Sequence, residues 1–226
     1  GEVLFGDYNI IVNDEMLHSC TNYECYKGIY SSFNCMNLFE IAHSLNRQYG
    51  KEPWCLYRGK HLMNFVDNHD VTRIASILTN KNHLPLAYGI LFGMPGIPCI
   101  YYGSEWGEEG EKAPGSDHAL RPCFSAPNAK ELTDFIRTLI HIRKNSPALC
   151  SGGYENILIT NHQLIFERRT ENERLLVAIN ASEHPYTAYD NRVSGNYHEL
   201  ITGAAGTLEG QCLLPPYSVR YYDFCC

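Results

Sequence analysis

Residues 61–70, HLMNFVDNHD, join a short apolar run to an abruptly polar end. The apolar part, residues 61–66, is typical of a short buried strand, and the polar residues 67–70 follow it directly. A second run, residues 96–103 (GIPCIYYG), is bounded by glycines and also predicts a strand. These two runs decide the fold, because polar groups that end buried strands collect at one edge of a sheet.

Helical patterns surround the two predicted strands. Residues 37–45 place apolar side chains on one helical face, and a second helical stretch covers roughly 71–93 with a break near Pro85. A third helix carries an apolar stripe over residues 132–140 and is stopped by Pro147. Strands that alternate with helices predict parallel βα units.

The helical period disappears after residue 150. Four short apolar runs then predict strands, and they are residues 157–159, 164–166, 175–179 and 217–221. Gly, Asn, Asp and Pro separate them, which is typical of an antiparallel sandwich. The sequence therefore predicts an α/β unit over 1–147 and an all-β unit over 150–226, with the boundary between 146 and 153.

The composition narrows the functional classes. The chain has 226 residues, 44% of them hydrophobic, and a formal charge of −7. These values exclude a disordered chain, and the acidic balance disfavours a nucleic-acid partner. No run approaches the roughly 20 uncharged apolar residues that a membrane span requires.

Ten cysteines leave two interpretations open. An even number suits disulfides, but a chain of this size needs none, and the adjacent Cys225 and Cys226 suit few simple bridges. No CxxC pair occurs either, and we expect reduced thiols and a cytoplasmic location. In that compartment the glycosylation triplet at residues 180–182 would have no effect.

Carboxylates and a histidine lie where the predicted strands end. They are Glu2, the pair His69 and Asp70, and Glu105. In a βα barrel such positions carry catalysis, and carboxylates converging from different strands are what glycoside hydrolysis requires.

Each of these residues also has a purely structural interpretation. Glu2 could be a solvated terminal carboxylate, and Asp70 could cap a helix. The His-Asp pair could instead ligate a metal in a helical phosphohydrolase, although that requires further histidines on helices. Glu105 could belong to an acidic solvated loop that continues to Glu111.

At these motifs the sequence resembles the alpha-amylase family of glycoside hydrolases. Residues 65–70 (FVDNHD) resemble the signature of its seventh barrel strand, 1–3 (GEV) that of its fifth, and 96–105 (GIPCIYYGSE) that of its eighth. Asp117 and Arg121 match the family's Asp-to-Arg spacing of four. Residues 142–149 and 214–217 resemble the last barrel helix and a strand of the C-terminal domain. The resemblance implies a partial TIM (β/α)8 barrel, about strands 5 to 8, followed by a C-terminal antiparallel β-sandwich.

The resemblance also implies a role for each matching residue. Glu2 would be the general acid/base, Asp70 the transition-state stabiliser, and His69 a hydrogen-bond donor to the same glucose ring. Asp117 and Arg121 would contact a neighbouring glucose, and Tyr23 would line the wall after the sixth strand or only pack there. The implied activity is retaining hydrolysis of α-linked glucose polymers such as starch or maltooligosaccharides, without a cofactor. No metal is expected, because the family's usual calcium ligands precede the matched segment.

The resemblance leaves the first four strands and the nucleophile unmatched. A fragment of this kind is expected to be inactive alone, since double displacement needs the nucleophile. It is also expected to expose the edges of its fifth and eighth strands. We therefore expect it to associate with itself or with the missing N-terminal half.

Other members of the family would keep several of these residues. An alpha-amylase, a neopullulanase, a cyclomaltodextrinase and a transglycosylase cannot be separated on these motifs. A non-catalytic relative, such as a transporter-associated subunit or a glucan-binding scaffold, would be expected to lose the acid or the His-Asp pair. Glu2, His69 and Asp70 are all present.

Overall fold

The computed structural model describes residues 1–4 and 6–224. Within them the helices are α1 (Tyr23–Asn34), α2 (Phe39–Tyr49), α3 (Ile74–Ile77), α4 (Leu84–Gly93), α5 (Glu131–Asn145) and α6 (Pro147–Ser151). The strands are β1 (Met63–Asn64), β2 (Ile97–Pro98), β3 (Gly153–Ile159), β4 (Gln163–Arg169), β5 (Arg174–Asn180), β6 (Tyr186–Glu199), β7 (Ala205–Leu214) and β8 (Ser218–Phe224).

Four parallel backbone segments form the partial barrel. β1 and β2 pair in parallel, with Met63 opposite Ile97. Thr21 forms a parallel bridge with Met63, and its N–H donates to the carbonyl of Gly1 at 3.0 Å. Residues 1–3 thus lie beside 19–22, then β1, then β2, in the order expected for barrel strands five to eight. The regular strands are much shorter than the predicted runs 61–66 and 96–103.

A buried amide network fixes the register of these segments. The side-chain amide of Asn22 donates to Gln48 Oε1 at 2.8 Å and to Asn64 Oδ1 at 2.9 Å. Asn64 in turn donates to the carbonyl of Pro95 at 2.7 Å. Because a buried polar group without a partner is costly, a shift by one residue would break several of these bonds.

The helices differ from the predictions in two places. α1 was not predicted. Its Tyr, Gly and Ser residues interrupt the apolar pattern in the sequence, although Ile29 and Phe33 lie on a buried helical face. The stretch 71–93 was predicted as one helix broken near Pro85. It is instead two helices, and Pro85 lies in the first turn of α4, where its missing N–H costs nothing. α2 and α5 lie where they were predicted, and Pro147 begins α6 after α5 ends.

The C-terminal region is one antiparallel sheet of six strands, in the order β3-β4-β5-β8-β6-β7. Four strands were predicted. β6 and β7 were not, because polar residues and glycine interrupt their alternation. The predicted strand at 214–217 is wrong beyond Leu214, since residues 215–217 form a turn in which Tyr217 has a φ of 45°.

Apolar side chains cover both faces of this sheet. One face, including Phe166 and Val177, packs against α4 of the barrel part. There Gly89 is required, since a Cβ at that position would lie 2.7 Å from Val219 Cγ1. The other face, including Leu176, forms a separate core with Ala188 of β6. The single sheet therefore curls on itself, and the predicted barrel part followed by an all-β region is confirmed.

Candidate functional site

The ends of the first three barrel segments meet through one chain of hydrogen bonds. The hydroxyl of Tyr23 donates to Glu2 Oε1 at 2.5 Å. The amide of Asn68 donates to that hydroxyl at 3.2 Å, and Asn68 Oδ1 accepts from the N–H of Asp70 at 2.8 Å. Glu2 and Asp70 therefore lie at the same rim of the partial barrel.

A second set of contacts joins the charged residues of this rim. Arg121 Nη2 lies 3.2 Å from Asp70 Oδ1 and 2.8 Å from Asp117 Oδ2. His69 Nε2 lies 3.2 Å from the other oxygen of Asp70. The six side chains to which the resemblance assigns a role, Glu2, Tyr23, His69, Asp70, Asp117 and Arg121, thus belong to one connected cluster, which we call the rim cluster.

The rim cluster is open to solvent. The side chain of Asp70 is 43% exposed, and those of His69 and Arg121 are 50% and 46% exposed. Exposed ion pairs of this kind contribute little to stability, because water and salt screen them. Their donors and acceptors remain available to a polar ligand such as a sugar.

Tyr23 holds the carboxylate of Glu2 in place. Burial, followed by the hydrogen bond to Glu2, raises the pKa of Tyr23 to about 12. The phenol therefore stays protonated near neutral pH and remains a hydrogen-bond donor. Its ring packs edge-on against Phe65 with centroids 5.0 Å apart, which fixes the direction of the hydroxyl.

A buried polar layer lies beneath the rim. Asp67 is 1% exposed and accepts hydrogen bonds from the N–H of Ile74 at 2.9 Å and from Ser104 Oγ at 2.8 Å. Desolvation raises the pKa of Asp67 to about 6, although these hydrogen bonds and the charge of Arg73 oppose that change. The layer ties the loop after β1 to the loop after β2.

Arg73 completes this layer. Its fully buried guanidinium donates to the carbonyls of Tyr102 at 2.9 Å and Leu120 at 2.8 Å, and it lies 4.6 Å from the ring centroid of Tyr101. Arg73 thereby anchors the loop that carries Arg121.

Sequence reasoning missed Asn68, Asp67 and Arg73 as site residues. Asn68 and Asp67 lie inside the motif that drew attention to Asp70, whereas no signal marked Arg73.

The acidic stretch 105–111 lies apart from the rim cluster. Glu105 lies in a recess with Thr133 and Ile136 of α5, and no hydrogen bond among the described residues joins it to the rim cluster. Glu109 pairs with Lys81 at 2.8 Å at the surface. Glu109 therefore matches the interpretation as a solvated acidic loop, whereas Glu105 is half-buried and its Oε2 has no hydrogen-bond partner among the described residues.

The described residues contain neither a candidate metal site nor a membrane-spanning helix. Within residues 1–4 and 6–224, no group of three or more His, Cys, Asp or Glu side chains could hold a metal ion. No helix in that part of the chain has the length and hydrophobicity to cross a membrane. The eight described cysteines are free thiols, while Cys225 and Cys226 lie outside the described residues.

Two family models match the sequence. Residues 31–146, more than half of the chain, match the alpha-amylase catalytic domain. Residues 158–219 match the alpha-amylase C-terminal all-beta domain.

Curated proteins of known name also match. The chain is 30% identical over 165 residues to a cyclomaltodextrin glucanotransferase of Bacillus sp. (strain 38-2), a match that covers 67% of this chain and 23% of that protein. It is 33% identical over 150 residues to alpha-amylase 2 of Dictyoglomus thermophilum, covering 62% and 26%. The chain thus spans about a quarter of the length of these relatives.

Solved structures share the fold over the whole chain. The alpha-amylase of Geobacillus thermoleovorans, solved in complex with acarbose, superposes with a TM-score of 0.81 at 19% identity, covering 99% of this chain and 52% of that one. An Anoxybacillus alpha-amylase gives a TM-score of 0.78 at 22% identity, covering 100% and 51%. At these identities the likeness concerns the fold alone.

Proposed function

The chain belongs to the alpha-amylase family, and on that premise we propose that it is the part of a glucan-acting glycosidase that carries the acid/base and substrate-binding half of the active site. The rim cluster supports this proposal above all. It brings Glu2 and Asp70, from two different barrel segments, to one open and polar surface.

The proposed reaction is retaining hydrolysis of α-glucosidic bonds in starch-type glucans or maltooligosaccharides. Glu2 would donate a proton to the glycosidic oxygen and later remove one from water. The neutral phenol of Tyr23 would orient that carboxyl group. Asp70 and His69 would hold the sugar hydroxyls at the reacting ring, and Arg121 would hold Asp70 in position.

The proposed ligand is an α-glucan oligosaccharide. The rim cluster supports it, because exposed carboxylate, imidazole and guanidinium groups match the hydroxyls of a sugar. Among structural neighbours, the Geobacillus enzyme binds acarbose, and another, AmyP, binds maltotriose. Binding by this chain can be tested by titrating it with maltotriose, with Asp70→Asn as the variant that weakens binding.

We expect the 226-residue chain alone to show no glycosidase turnover. Double displacement needs a nucleophilic carboxylate as well as an acid/base and a stabiliser. Neither Asp117 nor Asp67 is free for that role, since Asp117 pairs with Arg121 and Asp67 is buried. Measurable release of reducing sugar from maltooligosaccharides by the purified chain would contradict this expectation.

Activity can be tested by supplying the rest of a barrel. The first four strands of the Dictyoglomus relative, fused ahead of residue 1, would complete it, and starch, pullulan and cyclodextrin would be assayed side by side. Activity that is lost in Glu2→Gln and in Asp70→Asn, but kept in the exposed-loop control Glu111→Gln, supports the proposal. A folded fusion with no activity on any of the three would favour a non-catalytic glucan-binding relative. Proton NMR of the first-formed product would show whether the α-anomer is retained.

A transglycosylase is the second candidate. It is favoured by the matches to proteins named cyclomaltodextrin glucanotransferase. In the same fusion, transfer to an added acceptor sugar or formation of cyclic products would distinguish it from a hydrolase.

We also propose that the edge of the barrel part is covered in the working protein. β2 pairs only with β1 among the described strands, Ile97 is 50% exposed, and Phe92, Pro98, Ile100 and Ile140 line an apolar recess beside it. The preceding half of a barrel would cover this surface, and a second copy of the chain is the alternative. Sedimentation of the chain alone tests both, since a stable monomer that also fails to bind a supplied N-terminal half would contradict the proposal.

A cytoplasmic location remains a proposal as well. The free thiols, three of them buried, suit a reducing compartment. Cell fractionation of the source organism would test it, and secretion of the protein would contradict it.

A further inference from the structure

A cavity lies at the opposite end of the barrel part from the rim cluster. It is lined by residues 58–61 before β1, by residues 95–96 before β2, by residues 150–154 at the start of the sheet, and by Arg168. These are the amino ends of the two strands, whereas Asp70 and Arg121 follow their carboxyl ends. The cavity has a volume of about 300 Å³, at the small end of the range for ligand sites.

The charges around this cavity have one sign. Arg58 and Lys60 approach it from the loop before β1, and Arg168 approaches it from β4. Among the described residues that line it, none is Asp or Glu. The chain as a whole carries a formal charge of −7, so this concentration of cationic groups runs against the overall balance.

Arg168 forms the base of the cavity and is 1% exposed. Its Nε, Nη1 and Nη2 donate to the carbonyls of Gly153, Gly93 and Gly152 at 3.2, 2.8 and 2.8 Å. A guanidinium has five N–H groups, so two of those of Arg168 have no hydrogen-bond partner among the described residues. Both glycine carbonyls in the wall are already occupied by this side chain.

A second buried guanidinium lies behind the wall. Arg143 donates to the carbonyls of Met94, at 3.0 Å, and of Gly96, again without a carboxylate partner among the described residues. Desolvation, followed by repulsion from Arg143, lowers the pKa of Arg168 to about 9. The carbonyl groups neutralise no charge, so the cavity keeps a positive potential and unused donors.

The loop side of the cavity also has donors to spare. Arg58 Nη2 donates to the carbonyls of Gly50 at 2.7 Å and Glu52 at 2.8 Å, which leaves its Nε and Nη1 hydrogens free. Lys60 donates to Asn9 and to the carbonyl of Val12, which leaves one ammonium hydrogen. Among the described residues, the unpaired groups of Arg58, Lys60 and Arg168 are therefore all donors attached to positive charges.

We propose that this cavity binds a phosphate group, held between Arg168 on one wall and Arg58 and Lys60 on the other. A phosphate offers several acceptor oxygens and two negative charges, which suit guanidinium forks and an ammonium group. The site is separate from the rim cluster and does not depend on the proposed glycosidase activity. The group can come from free inorganic phosphate or from a phosphorylated sugar.

Calorimetric titration of the whole 226-residue chain with sodium phosphate tests the proposal. Sodium chloride is used to hold the ionic strength constant, and chloride alone is the reference. Saturable binding is expected, accompanied by shifts in the amide NMR signals of Gly59, Gly96, Gly152 and Gly153. Absence of saturable heat beyond the chloride reference would overturn the proposal, as would shifts confined to other residues.

Variants that lose the same charge distinguish phosphate binding in this cavity from non-specific electrostatic attraction. Arg58→Gln and Lys60→Gln are expected to weaken phosphate binding at least about tenfold, since each removes a direct donor. Arg169→Gln loses the same charge at the next position of β4, outside the lining of the cavity, and is expected to change binding less than about twofold. Circular dichroism would confirm that all three fold. Equal weakening in all three would overturn the proposal.

A parallel titration with a hexose monophosphate identifies the source of the group. Binding at least about tenfold tighter than inorganic phosphate indicates a phosphorylated sugar, and weaker binding indicates the free anion. If neither compound binds, the proposal fails, while the glycosidase proposal is untouched, because it rests on the other end of the barrel.

Discussion

Charged side chains differ in burial and in hydrogen-bond partners between the two ends of the partial barrel. At the rim cluster, Asp70, Asp117 and Arg121 pair with one another while remaining about half exposed. At the other end, Arg168 and Arg143 are buried and bond only to backbone carbonyls. Charges at the rim are screened and can exchange partners with a ligand. Arg168, by contrast, joins the sheet to the barrel part through the carbonyl of Gly93, and Arg143 joins α5 to the segment between α4 and β2.

This contrast predicts its largest effect at Arg168. Arg168→Met removes the hydrogen-bond donor of three carbonyls at the junction between the barrel part and the sheet, those of Gly93, Gly152 and Gly153. The free energy of unfolding should therefore fall by about 3 kcal/mol. Urea denaturation in phosphate-free buffer measures it. Arg169→Met, at the exposed neighbouring position, should stay within about 0.5 kcal/mol of the parent chain. Equal losses in the two variants would show that burial of the guanidinium is not what matters.

The next largest effect concerns Asp67, the buried carboxyl beneath the exposed rim. Its pKa is about 6 in the folded chain, above the roughly 3.9 of an unfolded one. Its stabilising contribution is therefore complete below about pH 4 and is lost as the pH rises through 6. The parent chain should lose about 2 kcal/mol of stability relative to Asp67→Asn between about pH 4 and 7.5.

Urea unfolding at a series of pH values checks this difference. Because other titrating groups change both chains equally, only the difference between the parent and the variant is used. If the stability difference between the parent chain and Asp67→Asn does not change with pH, or changes in the opposite direction, burial does not raise the pKa of Asp67.

A smaller effect is expected at Tyr23, which joins Glu2 to Asn68. Tyr23→Phe removes the hydrogen bonds to Glu2 and Asn68 and should lower the free energy of unfolding by about 1 kcal/mol. Tyr30→Phe on the same helix serves as the control, because no hydrogen bond of its hydroxyl is found among the described residues. A loss no larger than that of the control would argue against a fixed Glu2.

The smallest effect is expected at the ion pairs of the rim. Asp117→Asn should change the free energy of unfolding by less than about 0.5 kcal/mol, because its pair with Arg121 is half exposed. Any difference should vanish at about 1 M NaCl, where screening is nearly complete. A loss several times larger would show that the ion pair of Asp117 with Arg121 stabilises the fold about as much as the buried Arg168 does.

The sequence predicted the rim better than the junction for a physical reason. Residues 65–70 mark the end of a buried strand by a sharp change of polarity, and Glu2, Asp117 and Arg121 followed from the resemblance to signatures of the alpha-amylase family. Arg143 and Arg168 sit in a helix and a strand, where arginine is ordinarily solvent-exposed. Their burial depends on how the sheet packs against α4, which no local pattern records.

The sequence also predicted secondary structure unevenly. The β4 and β5 strands have continuous apolar runs because both of their faces are buried, so they were found. The β6 and β7 strands lie at the far side of the sheet with mostly exposed side chains, and their polar residues resembled loops. α1 was hidden because tyrosine, serine and glycine fill its apolar face.

By itself, the sequence determined the alternation of strands and helices, the change to an all-β region, and which polar side chains end the barrel segments. Those features are local, since each depends on the polarity and backbone preferences of neighbouring residues. Only the tertiary structure decided that Tyr23 and Asn68 connect Glu2 to Asp70, and that cationic groups from two separate segments, the loop before β1 and β4, face one cavity. Contacts between residues far apart in the chain arise from packing, and packing has no signature in a single stretch of sequence.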